Sequence, residues 1–91
     1  MVYKTAGDFI KNVRSRKIGG ISCYSLTQIA EGLGIDWEVI RGLSMSGELE
    51  KKLDFKFVEH PFNYGKYFPQ EAVKKLYRFK DRLSTFYLRN V

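Results

Sequence analysis

Residues 25–49 read SLTQIAEGLGIDWEVIRGLSMSGEL, and the punctuation of this stretch sets the local structure around it. Ser25 followed by Gln28 has the capping-box spacing, in which a hydroxyl and an amide satisfy free N–H groups at a helix start. Leu26, Ile29, Ala30 and Leu33 then form a buried stripe at helical spacing. Gly34 suits the left-handed residue just past a helix end, and Ile35 plugs the turn. Asp36 caps a second helix over residues 37–46, an anion at the positive end of the helix dipole. Ile40 and Leu43 face inward, Trp37 is half buried, and Gly47 ends the helix. The pattern predicts two helices joined by a tight turn across residues 25–46.

Working outward, residues 5–17 read as a helix with Phe9, Ile10 and Val13 on its apolar stripe and Gly19-Gly20 as its stop. Lys11, Arg14 and Lys17, three residues apart, would share its solvent face. Downstream, FKFV (residues 55–58) alternates as a short strand. KYF (66–68) is its partner, and EHPFNYG (59–65) is a loop rich in turn residues. A hairpin is therefore expected over residues 55–68. Pro69 at the first helical position and Glu71 in the first turn open a long helix over residues 69–88. Ala72, Leu76, Phe79, Leu83 and Phe86 recur at spacings of four and three, a heptad-like seam that Val73, Tyr77 and Tyr87 widen. Ala72 to Phe79 are expected to face the domain's own core. Leu83, Phe86 and Tyr87 are expected to face a partner or a second copy. The expected fold class is mostly α with a small β-hairpin, in a single domain over residues 1–91.

The chain has 91 residues and a formal net charge of +6, which points to an acidic partner: nucleic acid, an acidic protein surface or an anionic membrane. The charge is unevenly placed. Lys4, Lys11, Arg14, Arg16 and Lys17 stand against Asp8 in residues 1–20. Lys74, Lys75, Arg78, Lys80, Arg82 and Arg89 stand against Glu71 and Asp81 in residues 71–91. Residues 21–50 carry Arg41 against Glu31, Asp36, Glu38, Glu48 and Glu50. The two ends are basic and the central helix pair is acidic.

One cysteine, Cys23, makes no internal disulfide and no cysteine-based zinc site, so a reducing interior is the expected address. No apolar run is long enough for a membrane span, and MVYKTAGDFI lacks the apolar region of a signal segment. No P-loop, dinucleotide fingerprint or histidine/cysteine cluster is present, and His60 is the single histidine. A non-enzymatic role without cofactor or metal is expected.

The order helix, turn, helix, hairpin, helix resembles the winged helix-turn-helix proteins of the MerR-like and phage-excisionase group. The likeness lies in YSLTQIAEGLGIDWEVIRGLSMSGEL (24–49) and KYFPQEAVKKL (66–76). Ser25, Ala30 and Leu33-Gly34 stand where that group opens and turns its first helix. Ile40-Arg41 and Gly47 with Leu49 match its second helix, and Lys66, Tyr67, Phe68 and Glu71 match the wing strand and the helix after it. This chain adds an N-terminal helix and a long C-terminal one, and its second helix is poor in cations.

The resemblance implies binding to double-stranded DNA, as a transcriptional regulator or an architectural factor of a virus or other mobile element. On that reading Trp37, Glu38, Arg41 and Ser44 face a major groove, with Arg41 on guanine and Glu38 on cytosine N4. Thr27 and Gln28 hold phosphates at a helix N-terminus. His60, Asn63, Tyr64 and Lys66 of the wing reach backbone or minor groove, while Lys11, Arg14 and Lys17 neutralise phosphates. Arg41 pairing with Glu38 or Glu48 is the competing local reading. The alternative function is a protein-binding winged helix, an adaptor or inhibitor, that uses the acidic helix and the C-terminal seam. Homodimerisation through that last helix suits either function.

Overall fold

Among residues 1–62 and 65–80, which the computed structural model describes, the elements follow in this order: α1 (Ala6–Asn12), β1 (Arg16–Ile18), β2 (Ile21–Tyr24), α2 (Leu26–Leu33), α3 (Trp37–Met45), α4 (Glu48–Leu53), β3 (Val58–Glu59), β4 (Lys66–Pro69) and α5 (Gln70–Arg78). The strands form an antiparallel sheet in the order β1-β2-β4-β3. The chain is thus a mixed helix-and-sheet fold with more sheet than a single hairpin supplies.

The extra sheet comes from the segment expected to continue the first helix to residue 17. Thr5 caps α1 by accepting from the Asp8 N–H at 3.1 Å, and the helix stops when Val13 turns extended (φ −98°, ψ 129°). Gly19 and Gly20 both have positive φ, 57° and 80°. They form the two-residue turn of a hairpin in which Ile18 faces Ile21. Such a turn needs left-handed backbone at both positions, which two glycines allow at little cost. The glycine pair is therefore the turn of a hairpin and not a helix stop.

The central helices follow their local signals closely. Ser25 Oγ accepts from the Gln28 N–H at 3.2 Å, and Gln28 Oε1 accepts from the Ser25 N–H at 2.9 Å. Gly34 (φ 69°) ends α2, with its N–H on the carbonyls of Ala30 and Glu31. Asp36 Oδ1 accepts from the Glu38 N–H at 2.9 Å and starts α3.

Helix α4 lies where the sequence pattern predicts no separate helix. Gly47 (φ 79°) breaks the chain's direction after α3, and Glu48 and Glu50 then sit in the first turn of α4 with Lys51 and Lys52 in its last. That order of charge suits the helix dipole at both ends. Leu49 and Leu53, one turn apart, are both buried. The acids of SGELE thus stabilise a separate short helix and do not belong to α3.

The strand expected over 55–58 is instead Val58–Glu59, paired as Val58–Tyr67 and Glu59–Lys66, while Phe55 is buried and half-buried Phe57 packs against the core. Phe57 meets Phe68 edge-on at 4.8 Å, as it does Phe55 at 5.0 Å. Helix α5 starts at Gln70, with Pro69 as its cap and Glu71 in the first turn. Its Ala72, Val73 and Leu76 are fully buried, so this part of the seam faces the domain's own core. Leu83, Phe86 and Tyr87 lie outside the described residues. The core joins Phe9, Tyr24, Ile29, Leu33, Ile40, Leu43, Phe68 and Leu76, between one face of the sheet and the helices.

Candidate nucleic-acid interface

A cleft of about 520 Å³ opens between three elements. The N-terminus of α2 contributes Ser25, Leu26 and Thr27. One face of α3 contributes Trp37, Arg41, Ser44 and Met45. The start of β4 contributes Gly65, Lys66, Tyr67 and Phe68. The pairing of β2 with β4, Tyr24 opposite Phe68, sets the distance between these walls. The lining carries two cations, Arg41 and Lys66, and no carboxylate among its described residues.

Trp37 and Arg41 are one helical turn apart, and the Arg41 guanidinium lies 5.5 Å from the centre of the Trp37 ring. That cation–π contact holds the guanidinium over an indole that is 44% exposed. Arg41 is thus partnered by Trp37, where the sequence left Glu38 or Glu48 as the competing choice; Glu48 is on α4. Met45, 67% exposed, extends the apolar part of this face. Lys66, on the opposite wall, has its Nζ 5.3 Å from the centre of the ring of Phe57, which lies outside the cleft lining. The cleft therefore has flat apolar surface from Trp37 and Met45 beside the positive charge of Arg41.

Several expected site residues are placed differently. Ser44 is 5% exposed, and its hydroxyl donates to the Ile40 carbonyl at 2.7 Å. It lies in the floor of the cleft, buried where an exposed position on the reading face is expected. Gln28 is committed at both ends, with Nε2 donating to the Arg14 carbonyl at 2.9 Å and Oε1 closing the cap. Its amide ties the α1–β1 connection to α2, and Thr27 is left as the exposed polar side chain at that helix start. Glu38 is exposed on the first turn of α3 and is not among the residues lining the cleft.

Lys11, Arg14 and Lys17 do not share a helix face, because α1 ends at Asn12. Lys11 is in its last turn, Arg14 is in the connection that follows, and Lys17 is on β1 opposite Ser22. All three are exposed. Asn63 and Tyr64 lie outside the described residues.

His60 does sit at the β3–β4 connection, and three residues not among the expected contacts, Arg16, Phe62 and Tyr67, meet it there. Arg16, brought over by the β1–β2 hairpin, has Nη1 donating to Tyr67 Oη at 3.3 Å and its guanidinium 5.7 Å from the Tyr67 ring centre. Its Nη2 is 3.3 Å from His60 Nε2. Phe62, beside His60, is 88% exposed; an apolar residue among the turn residues of EHPFNYG was its visible signal. Arg16 had none, since 51 residues separate it from Tyr67.

Two groups elsewhere have displaced acidities. Burial pushes the Cys23 thiol up, against a smaller opposing effect of Arg16, and Cys23 Sγ donates to the Arg16 carbonyl at 3.1 Å. Burial first, then Asp8 and Tyr3, pushes Tyr77 up to about 12. Both groups lie away from the cleft lining. Among the described residues no three His, Cys, Asp or Glu side chains gather as metal ligands, and no helix is long and apolar enough to cross a membrane.

No family model, curated protein or solved structure matches the chain.

Proposed function

We propose that this chain is a winged helix-turn-helix protein that binds double-stranded DNA, as a transcriptional regulator or an excisionase-like architectural factor. The carrying observation is the cleft whose lining holds Arg41 and Lys66 and no carboxylate. The five acids of residues 21–50 all lie outside that lining. Asp36 caps α3, and Glu48 and Glu50 start α4.

In this reading α2 and α3 are the helix-turn-helix, β2, β4 and β3 are the winged-helix sheet, and the β3–β4 hairpin is the wing. Helix α3 enters the major groove. Arg41, pre-set by Trp37, takes guanine through O6 and N7, and Glu38 accepts from a cytosine N4. Thr27 at the start of α2 meets a phosphate, where free N–H groups and the helix dipole favour an anion. Lys66 follows the backbone beside the adjacent minor groove. The function is recognition without chemistry on the DNA.

The 44% exposed Trp37 and 67% exposed Met45 support a second reading, a protein-binding module with these side chains as its apolar anchors. Fluorescence anisotropy with random-sequence duplex DNA at several salt concentrations separates the two. The DNA reading expects micromolar binding that weakens steeply with salt. Absence of binding at low salt overturns it in favour of a protein partner.

A further inference from the structure

His60 lies between two hydrogen-bond donors. Its Nδ1 is 3.0 Å from the Phe62 backbone nitrogen, which has only a proton to offer. Nδ1 therefore supplies the lone pair, and in a neutral imidazole the proton then sits on Nε2. Yet Nε2 is 3.3 Å from Arg16 Nη2, which is also only a donor. In this tautomer the two groups do not bond to each other, and each turns to an acceptor outside the pair; with the proton on Nδ1 instead, Nε2 accepts from Arg16 and the Phe62 N–H is left to solvent.

Tyr67 adds a third donor. Its oxygen accepts from Arg16 Nη1 at 3.3 Å, which leaves its own O–H free to point outward. The His60 and Tyr67 rings are 6.4 Å apart between centres. Arg16 Nη2 lies 3.3 Å from His60 Nε2, and the Tyr67 hydroxyl bonds to the same guanidinium, so the three polar groups lie together beside a full positive charge. The contacts come from three separate segments: β1, the β3–β4 connection and β4.

We propose that Arg16, His60 and Tyr67 form a seat for one backbone phosphate of bound DNA. A phosphate has several acceptor oxygens and a negative charge, so it satisfies all three donors at once, as water does not. The seat rests on the DNA-binding reading and adds to it a contact made by the β1–β2 hairpin. It also gives that hairpin a role: it carries a second cation to the wing, in addition to Lys66 of β4. The seat contributes affinity and register and no base preference.

The test measures duplex binding against salt for the wild type and for Arg16→Ala, Tyr67→Phe and Lys51→Ala, the last removing an exposed charge on α4. Arg16→Ala should reduce the steepness of log K against log salt by about one. Tyr67→Phe keeps the ring and should weaken binding about threefold with the slope unchanged. Lys51→Ala should change the slope by much less than Arg16→Ala. Circular dichroism checks that each variant is folded, and Arg16→Gln replaces Arg16→Ala if the latter is not. If Arg16→Ala behaves like Lys51→Ala while the wild type binds well, the seat is overturned and the DNA reading stands. If the wild type does not bind DNA, both fall. If inorganic phosphate shifts the His60 ring resonances but the DNA slope is the same in Arg16→Ala, the site takes a free anion only, and the proposal is overturned.

Discussion

The ring of Phe9 fills the space that a side chain at Gly32 would need. A Cβ at position 32 would lie 2.3 Å from Phe9 Cε2, and Phe9 is fully buried. The Gly32 carbonyl also accepts from the Tyr3 N–H at 2.8 Å and from the Tyr77 hydroxyl at 3.0 Å. One small residue in α2 therefore receives α1, the N-terminal segment and α5. Alanine in a helix interior is normally better than glycine by about 1 kcal/mol. Here that gain is outweighed, and Gly32→Ala should destabilise by roughly 1–3 kcal/mol through overpacking. Urea denaturation measures it. A Phe9→Leu, Gly32→Ala double variant that is no better than the single one would show that the clash is not with Phe9.

Arg41→Ala and Lys66→Ala should each flatten the salt dependence of duplex binding by about one, and together by about two. Trp37, the chain's single tryptophan, lines the same cleft, so its fluorescence should change on titration with duplex DNA. Unchanged emission at saturation, with binding confirmed by anisotropy, would place the DNA on another face.

Ser44→Ala separates position from chemistry. With its hydroxyl on the Ile40 carbonyl, Ser44 should affect stability by less than about 1 kcal/mol and leave DNA sequence preference intact. A changed preference in a binding-site selection would show that the side chain does reach a base.

Tyr77 sets a pH dependence at the alkaline end. Burial raises its pKa to about 12 in the fold, from 10.0 for the free side chain. Between those values the unfolded chain has released the proton and the folded one has kept it. Stability from this group is therefore complete below pH 10 and falls as pH rises toward 12. Tyr77→Phe should lose the bond to Gly32, at a cost of about 1 kcal/mol, and show a shallower fall in that window. Denaturation midpoints at pH 9, 10 and 11 would reveal an equal fall in both proteins if Tyr77 is not responsible.

Cys23 is buried, its thiol bonded to the Arg16 carbonyl and pushed up in pKa. Iodoacetamide reacts with thiolate, so labelling at pH 8 should be slow in the native protein and rapid in urea. Fast native labelling would mean that β1 opens readily from β2.

By itself the sequence determined whatever depends on a few neighbouring residues. Ser25 with Gln28, Gly34, Asp36 and Gly47 mark the ends of α2 and α3 because caps and left-handed turns are satisfied within about four residues. The buried stripes of α2, α3 and α5 follow from the 3.6-residue period. The tertiary structure decided the rest. Gly19-Gly20 suits a helix stop or a hairpin turn equally well, and the pairing of β2 with β4, 44 residues away at Tyr24 and Phe68, selects the hairpin. Ser44 is polar and near the helix surface by count, and only packing puts it at 5% exposure. Arg16 meets Tyr67 and His60 because a strand pairing brings them together, and no local pattern encodes that. Local hydrogen bonding fixed the helices; long-range strand pairing fixed which cations and aromatics share the cleft and its rim.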